Sequence, residues 1–218
     1  MEFDWTGSVE PWKRAQEEIR SRVIIEPLRE SPRYVAGVDC AFSSDSKRVK
    51  AAAVVFDRLQ KQIVEEQTVI MPCRAPYVPT FLTFREAPAI LKVLELVKAP
   101  FNALLFDGQG LAHPRRCGLA THMGVLLDLP SVGCAKSRLI GTFVEPKTKA
   151  GSYSKLMDEK EKEQIGVVLR TRDGVNPLFV SIGHRVDIKS AIELTLACCT
   201  RYRLPEPTRV ADKLSKFK

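Results

Sequence analysis

From Tyr34 to Ile70 the chain reads YVAGVDCAFSSDSKRVKAAAVVFDRLQKQIVEEQTVI. Three runs in this stretch, Tyr34 to Phe42, Val49 to Phe56 and Gln62 to Ile70, are apolar or β-branched. Only short polar connections, Ser43 to Arg48 and Asp57 to Lys61, separate them. Residues of this kind fit a pleated, half-buried surface. Links this short favour antiparallel neighbours, because a parallel crossover needs a dozen residues or more. The stretch therefore predicts three consecutive antiparallel strands.

Downstream the pattern changes. Leu82 to Val97 reads as a helix, with Phe84, Ala87, Leu91 and Leu94 at three- and four-residue spacings. Ala103 to Phe106 is short and wholly apolar, as expected of a strand buried on both faces. Arg116 to Leu127 reads as a second helix and Ser131 to Ala135 as a further strand. Helices alternating with apolar strands imply parallel crossovers. Together these segments predict an α/β fold, a mixed β-sheet flanked by helices.

An amphipathic helix is expected at about residues 8–23, ending before the breakers Pro27, Ser31 and Pro32. Gly141 to Glu163 is polar and reads as a mobile excursion or a helical insertion. A hairpin follows, Ile165 to Arg170 and Leu178 to Ser181, and then a helix from Asp187 to Cys199. From Arg201 the chain is a basic, proline-containing tail. With neither an internal repeat nor a linker, residues 1–218 are expected to form a single domain.

At 218 residues, 44% hydrophobic and 28% charged, the chain can bury a substantial core. No apolar run approaches the roughly 18 residues that a membrane helix needs. Met1 to Trp5 is acidic and lacks the apolar core of a secretory signal. The formal charge is +8, and the surplus is concentrated in two places. Between Leu111 and Ala150, six basic residues (Arg115, Arg116, Lys136, Arg138, Lys147, Lys149) face only Asp128 and Glu145. Between Arg201 and Lys218, another six face Glu206 and Asp212. Such patches suit a polyanion, and a solvated basic surface fits equally well on charge alone. The six cysteines form no CxxC pair, which speaks against zinc knuckles and disulfide frameworks and for a reducing cytoplasm. A monomer is expected.

Two acids end apolar strands. Asp39 follows Val35-Ala36-Gly37-Val38, and Asp107 follows Leu104-Leu105-Phe106. A carboxylate there is costly unless something compensates it, and a divalent cation with hard oxygen ligands is the simplest partner. Each could instead cap a turn, Asp107-Gly108 being a good turn dipeptide. Glu86, in Thr83-Phe84-Arg85-Glu86, fits a capping box, or a third ligand on a first helical turn. His184 could reach the acids from a strand end as a general acid or base, while a loop histidine is more often simply exposed. Asp187 suits an N-cap. His113 and His122 read ambiguously in the same way. Asp107-Gly108-Gln109-Gly110 resembles a phosphate loop only superficially and does not fit GxGxxG. Tyr77, in Pro76-Tyr77-Val78-Pro79, offers a stacking face for a base or is a local packing aromatic.

Seven ordered motifs between Val35 and Asp212 together resemble the endonuclease V family, which cuts nucleic acid at hypoxanthine. They are Gly37-Val38-Asp39, Ala75-Pro76-Tyr77-Val78-Pro79-Thr80-Phe81-Leu82-Thr83-Phe84-Arg85-Glu86, Phe106 to Arg115, Gly118 to Gly124, Val132 to Ser137, Gly183-His184-Arg185, and Tyr202 to Arg209. The resemblance implies a ribonuclease H-like mixed sheet. It also implies Mg²⁺-dependent hydrolysis, with Mn²⁺ able to substitute, of the second phosphodiester bond 3′ to deoxyinosine in damaged DNA. Inosine-containing RNA is the alternative substrate, and a binding protein without catalysis is a more remote one. By resemblance, Asp39, Glu86 and Asp107 hold the metal, His184 assists the attacking water and Lys136 neutralises phosphate charge. Tyr77 and Pro79 match the wedge that opens the strand, and Leu82, Gly108, His113 and Leu119 match the base pocket. The chain departs from the family at Thr80, where glycine is usual. If that backbone needs positive φ, threonine strains it or narrows the pocket.

Overall fold

The computed structural model describes residues 7–217, so the expectation for Met1 to Trp5 lies outside the described residues. The three predicted strands are β1 (Tyr34–Phe42), β2 (Arg48–Asp57) and β3 (Gln62–Pro72), an antiparallel meander. Then come α2 (Thr83–Leu96), β4 (Ala103–Phe106), α3 (Leu119–Leu127) and β5 (Ser131–Ala135). As the alternation required, β4 lies parallel to β1, and β5 parallel to β4. Strands β6 (Tyr153–Asp158), β7 (Glu163–Leu169) and β8 (Leu178–His184) complete one eight-stranded mixed sheet in the order β3-β2-β1-β4-β5-β8-β7-β6.

The period of two along the strands sends alternate residues to opposite faces. Val35, Ala103, Leu105 and Val132 join α4 (Ile188–Cys198) on one face. Ala36, Val38, Leu104 and Phe106 join α2 and α3 on the other. The central strands are thus covered on both sides, which is why they read as continuous apolar runs. Helix α1 (Glu10–Ser21) buries Trp12, Gln16 and Ile19, a helical spacing. Its Trp12 ring stacks on Phe84 of α2 with centroids 4.7 Å apart.

One expectation needs correction. Residues 141–163 hold no helix; they contain β6, an edge strand paired with β7. Its charged residues are what an edge strand carries to discourage further pairing, and the lysine- and glutamate-rich stretch is the hairpin tip. Within the basic tail, Glu206–Ser215 form α5, opened by prolines and packed on β1 and β2 through Ala211 against Ala52 and Val54. No helix among the described residues is long and apolar enough to cross a membrane.

Candidate functional site

Parallel pairing brings the site together. Val38 lies beside Phe106, and Phe106 beside Gly133, so β4 ends and β5 nears its end at one level of the sheet, beside the stretch of β1 that runs on past its pairing with β4. Asp39, Asp107 and Lys136 emerge there. A third acid arrives from far along the sequence, Asp212 on α5. One carboxylate oxygen from each of Asp39, Asp107 and Asp212 lies within 4.8 Å of the others. Helix α5 can seat itself this closely because residue 37 is glycine: a Cβ there would lie 2.3 Å from the Pro207 backbone. The same helix buries Ser215, whose hydroxyl donates to Asp39 Oδ2 at 2.7 Å.

Lys136 Nζ bridges Asp107 Oδ2 and Asp212 Oδ1, the latter at 2.5 Å. Lys216 reaches the other oxygen of Asp212 at 2.7 Å. Burial, reinforced by the negative charge of Asp107 and Asp212, pushes the Asp39 carboxyl up to about 6 against the pull of Ser215. Asp107 is also raised by burial, with Lys136 opposing the shift. Burial acts upward on Asp212 as well, but Lys136 and Lys216 outweigh it and hold that carboxyl below its usual value.

Glu86 stands beside this trio and is not one of the three closely grouped acids. It is buried on the first turn of α2, and burial followed by repulsion from Asp39 and Asp107 drives its carboxyl well above the ordinary range. The capping-box reading does not hold. The helix begins after Leu82 without a side-chain cap, and Thr83 lies inside it. An oxygen-only donor set whose members are forced together against their repulsion fits a hard divalent cation.

A cleft of about 570 Å³ opens over the acids. Tyr77, Thr80 and Leu82 line one part of it, and Gly108, His113 and Leu119 another. Tyr77 is 66% exposed on the loop between β3 and α2. Pro79 lies on that loop, exposed, outside the lining itself. The loop rests on a small apolar cluster of Trp12, Ala75, Phe81 and Phe84. The His113 Nε2–H donates to the Thr80 carbonyl (3.0 Å), and the Arg115 N–H donates to Nδ1 (3.2 Å). Burial, aided by the Arg115 charge, lowers this imidazole to about 4 and keeps it neutral.

His184 is not brought to the acids. It ends β8, which runs antiparallel to β5, and pairs with Ser131 at the start of that strand. It thus sits at the opposite end of the sheet from Lys136, about 10 Å or more down the strands. It is 2% exposed, accepts from the Ile24 N–H at 3.3 Å and donates to Asp128 at 3.1 Å. His122 is buried within α3, lowered to about 4 by burial. Asp187 caps α4 by accepting from the Ser190 N–H at 2.7 Å, as expected. Sequence reasoning missed Asp212 and Ser215. Their one signal was an acid and a small polar residue set among Pro207, Thr208 and Ala211 at helical spacing.

The family model for endonuclease V matches residues 17–213. Endonuclease V of Rippkaea orientalis is 46% identical over 216 residues, covering 99% of this chain and 93% of that protein. The crystal structure of endonuclease V from Streptomyces avermitilis superposes with a TM-score of 0.89 at 42% identity, covering 94% of this chain and 91% of that one. A Ciona intestinalis endonuclease V, in complex with a 23mer DNA containing an inosine followed by a ribo-adenosine, superposes at 0.86 with 28% identity, covering 97% and 96% of the two chains.

Proposed function

The chain belongs to the endonuclease V family, and from that premise we propose that it is a Mg²⁺-dependent endodeoxyribonuclease. It recognises hypoxanthine in DNA and hydrolyses the second phosphodiester bond 3′ to the lesion, in DNA repair. The observation that carries this reading is the convergence of Asp39, Asp107 and Asp212, from two strands and a helix, within 4.8 Å beneath an open cleft.

These three carboxylates would hold the cation, with Glu86 as the buried acid beside them, and Mn²⁺ would substitute for Mg²⁺. When bound, the ion supplies positive charge to the phosphate and acidity to water. The other tasks fall to the chain. Ser215 fixes the Asp39 carboxylate through its hydrogen bond. Lys136, already held at the acids and 39% exposed, offers its ammonium to a non-bridging phosphate oxygen as negative charge builds there. Tyr77 and Pro79 enter the strand and fill the gap behind the displaced base. Eversion costs a few kcal/mol, least for a mispaired or single-stranded base, which gives some selectivity before any contact is made. Leu82, Gly108, His113 and Leu119 receive the base. His184 has no part in this chemistry; it ties the segment at Ile24 and the Asp128–Arg185 pair to the end of β8.

A second reading, inosine-containing RNA as substrate, is favoured by one observation: the nucleic acid held by the Ciona intestinalis relative has a ribo-adenosine after its inosine. All six cysteines are free thiols, in keeping with a reducing cytoplasm, and the protein would act there as a monomer. The test is cleavage of end-labelled strands in Mg²⁺ that differ in one base. A product ending one nucleotide beyond deoxyinosine, absent with adenine, is the expected result. Cleavage of a riboinosine strand alone would move the function to RNA. Binding without cleavage of any strand would refute an enzyme.

A further inference from the structure

Thr80 has φ of +70°. For a β-branched residue this is an uncommon backbone state that glycine adopts freely. It persists because its surroundings fix it from three directions. The Thr80 carbonyl accepts from Gln16 Nε2, His113 Nε2 and Arg115 Nη2, each at 3.0 Å. The Thr80 hydroxyl accepts from the same Arg115 nitrogen at 2.6 Å. Arg115 is itself held, by Gln16 Oε1 at 2.5 Å and by the Phe81 ring beneath its guanidinium at 4.1 Å. A strained residue so thoroughly pinned has a fixed side chain, and it lines the cleft together with Tyr77, Leu82, Gly108 and Leu119. With the hydroxyl engaged by Arg115, Cβ and the methyl are the part of this side chain left without a polar partner.

We propose that Thr80 is a specificity-determining residue, its immobilised side chain narrowing the base pocket against purines that carry a substituent hypoxanthine lacks. This rests on the endonuclease reading above and adds to it a wall that a glycine would not supply. A flexible side chain at this place could swing aside for a larger base. One whose backbone carbonyl accepts three hydrogen bonds and whose hydroxyl accepts a fourth cannot.

The test compares wild type, Thr80→Ser and Thr80→Gly on strands carrying a single deoxyinosine, deoxyxanthosine or deoxyguanosine. Serine keeps the Arg115 hydrogen bond and removes only the methyl, so it reports on the pocket even if the glycine variant loosens the loop. Both variants are expected to raise kcat/KM for deoxyxanthosine or deoxyguanosine, relative to deoxyinosine, by about tenfold or more, the scale at which one carbon is discriminated. Equal losses on all three strands, with the ratios unchanged, would make Thr80 purely structural and overturn the proposal while sparing the endonuclease. A wild-type protein that cuts no deoxyinosine strand would overturn both.

Discussion

The carboxyl of Asp39 titrates at about 6 rather than 3.8, chiefly because it is buried. The metal-free folded state therefore prefers the protonated acid. The stability linked to that proton is complete below about pH 3.8 and is lost as the pH rises through about 6. At neutral pH the ionised group costs the metal-free fold about 3 kcal/mol at most, at 1.36 kcal/mol per pKa unit. Asp39→Asn is thus expected to raise the melting temperature in chelator near pH 7 and to give no gain near pH 4. Added Mg²⁺ should stabilise the wild type and not the variant. An equal response of both proteins to pH and to Mg²⁺ would show that Asp39 bears no such strain. At this scale the sequence was informative about Asp39 and Asp107, since an acid ending an apolar strand is conspicuous. Thr80 was also legible, because one residue type departing from glycine raises the question of positive φ. His184 misled: a strand-end histidine looks the same in sequence whichever end of the sheet it occupies, and only pairing with Ser131 places it.

Among the elements, α5 has the largest consequence for the site. Its footing on β1 depends on the missing side chain at Gly37, where a Cβ would meet Pro207 and Thr208 backbone atoms at 2.3 and 2.5 Å. Backbone cannot turn aside as a flexible side chain can. Gly37→Ala is expected to shift the helix and with it Asp212 and Ser215. Cleavage should fall by tenfold or more, with destabilisation of about 1–3 kcal/mol as for overpacking elsewhere. A rate within twofold of wild type would show that the seat of α5 does not matter. The glycine was legible as part of Gly37-Val38-Asp39, but its partner was not, because a close approach leaves no mark on the second segment. The helix itself was obscured by its charges. Strand β6 was hidden for a related reason: a register shift between Leu156 and Met157 breaks its alternation, and its edge position admits polar residues on both faces.

Across the whole molecule, the basic surplus proves to be partly internal. Arg116 lies buried between Asp158 (2.7 Å) and Glu163 (3.0 Å), tying the loop after β4 to the β6–β7 hairpin. Arg115 braces Thr80, while Arg203 donates to the carbonyls of Lys136 and Pro177, both at 2.8 Å. A charge count alone could not separate these from the cations left to meet a polyanion. The antiparallel meander and the parallel crossovers were readable, because link lengths and apolar runs are local properties. The completed site was not, because it joins β1, β4 and α5 across most of the chain, and only the folded sheet sets Asp212 beside Asp39. That convergence is the central claim, and single-turnover cleavage of a deoxyinosine strand by Asp212→Asn in Mg²⁺ tests it most directly. Asparagine preserves shape and removes one charge, so strand binding should persist while the rate falls by about a hundredfold, the scale of losing one preorganised electrostatic partner. A rate within twofold of wild type would contradict a site built from the three acids.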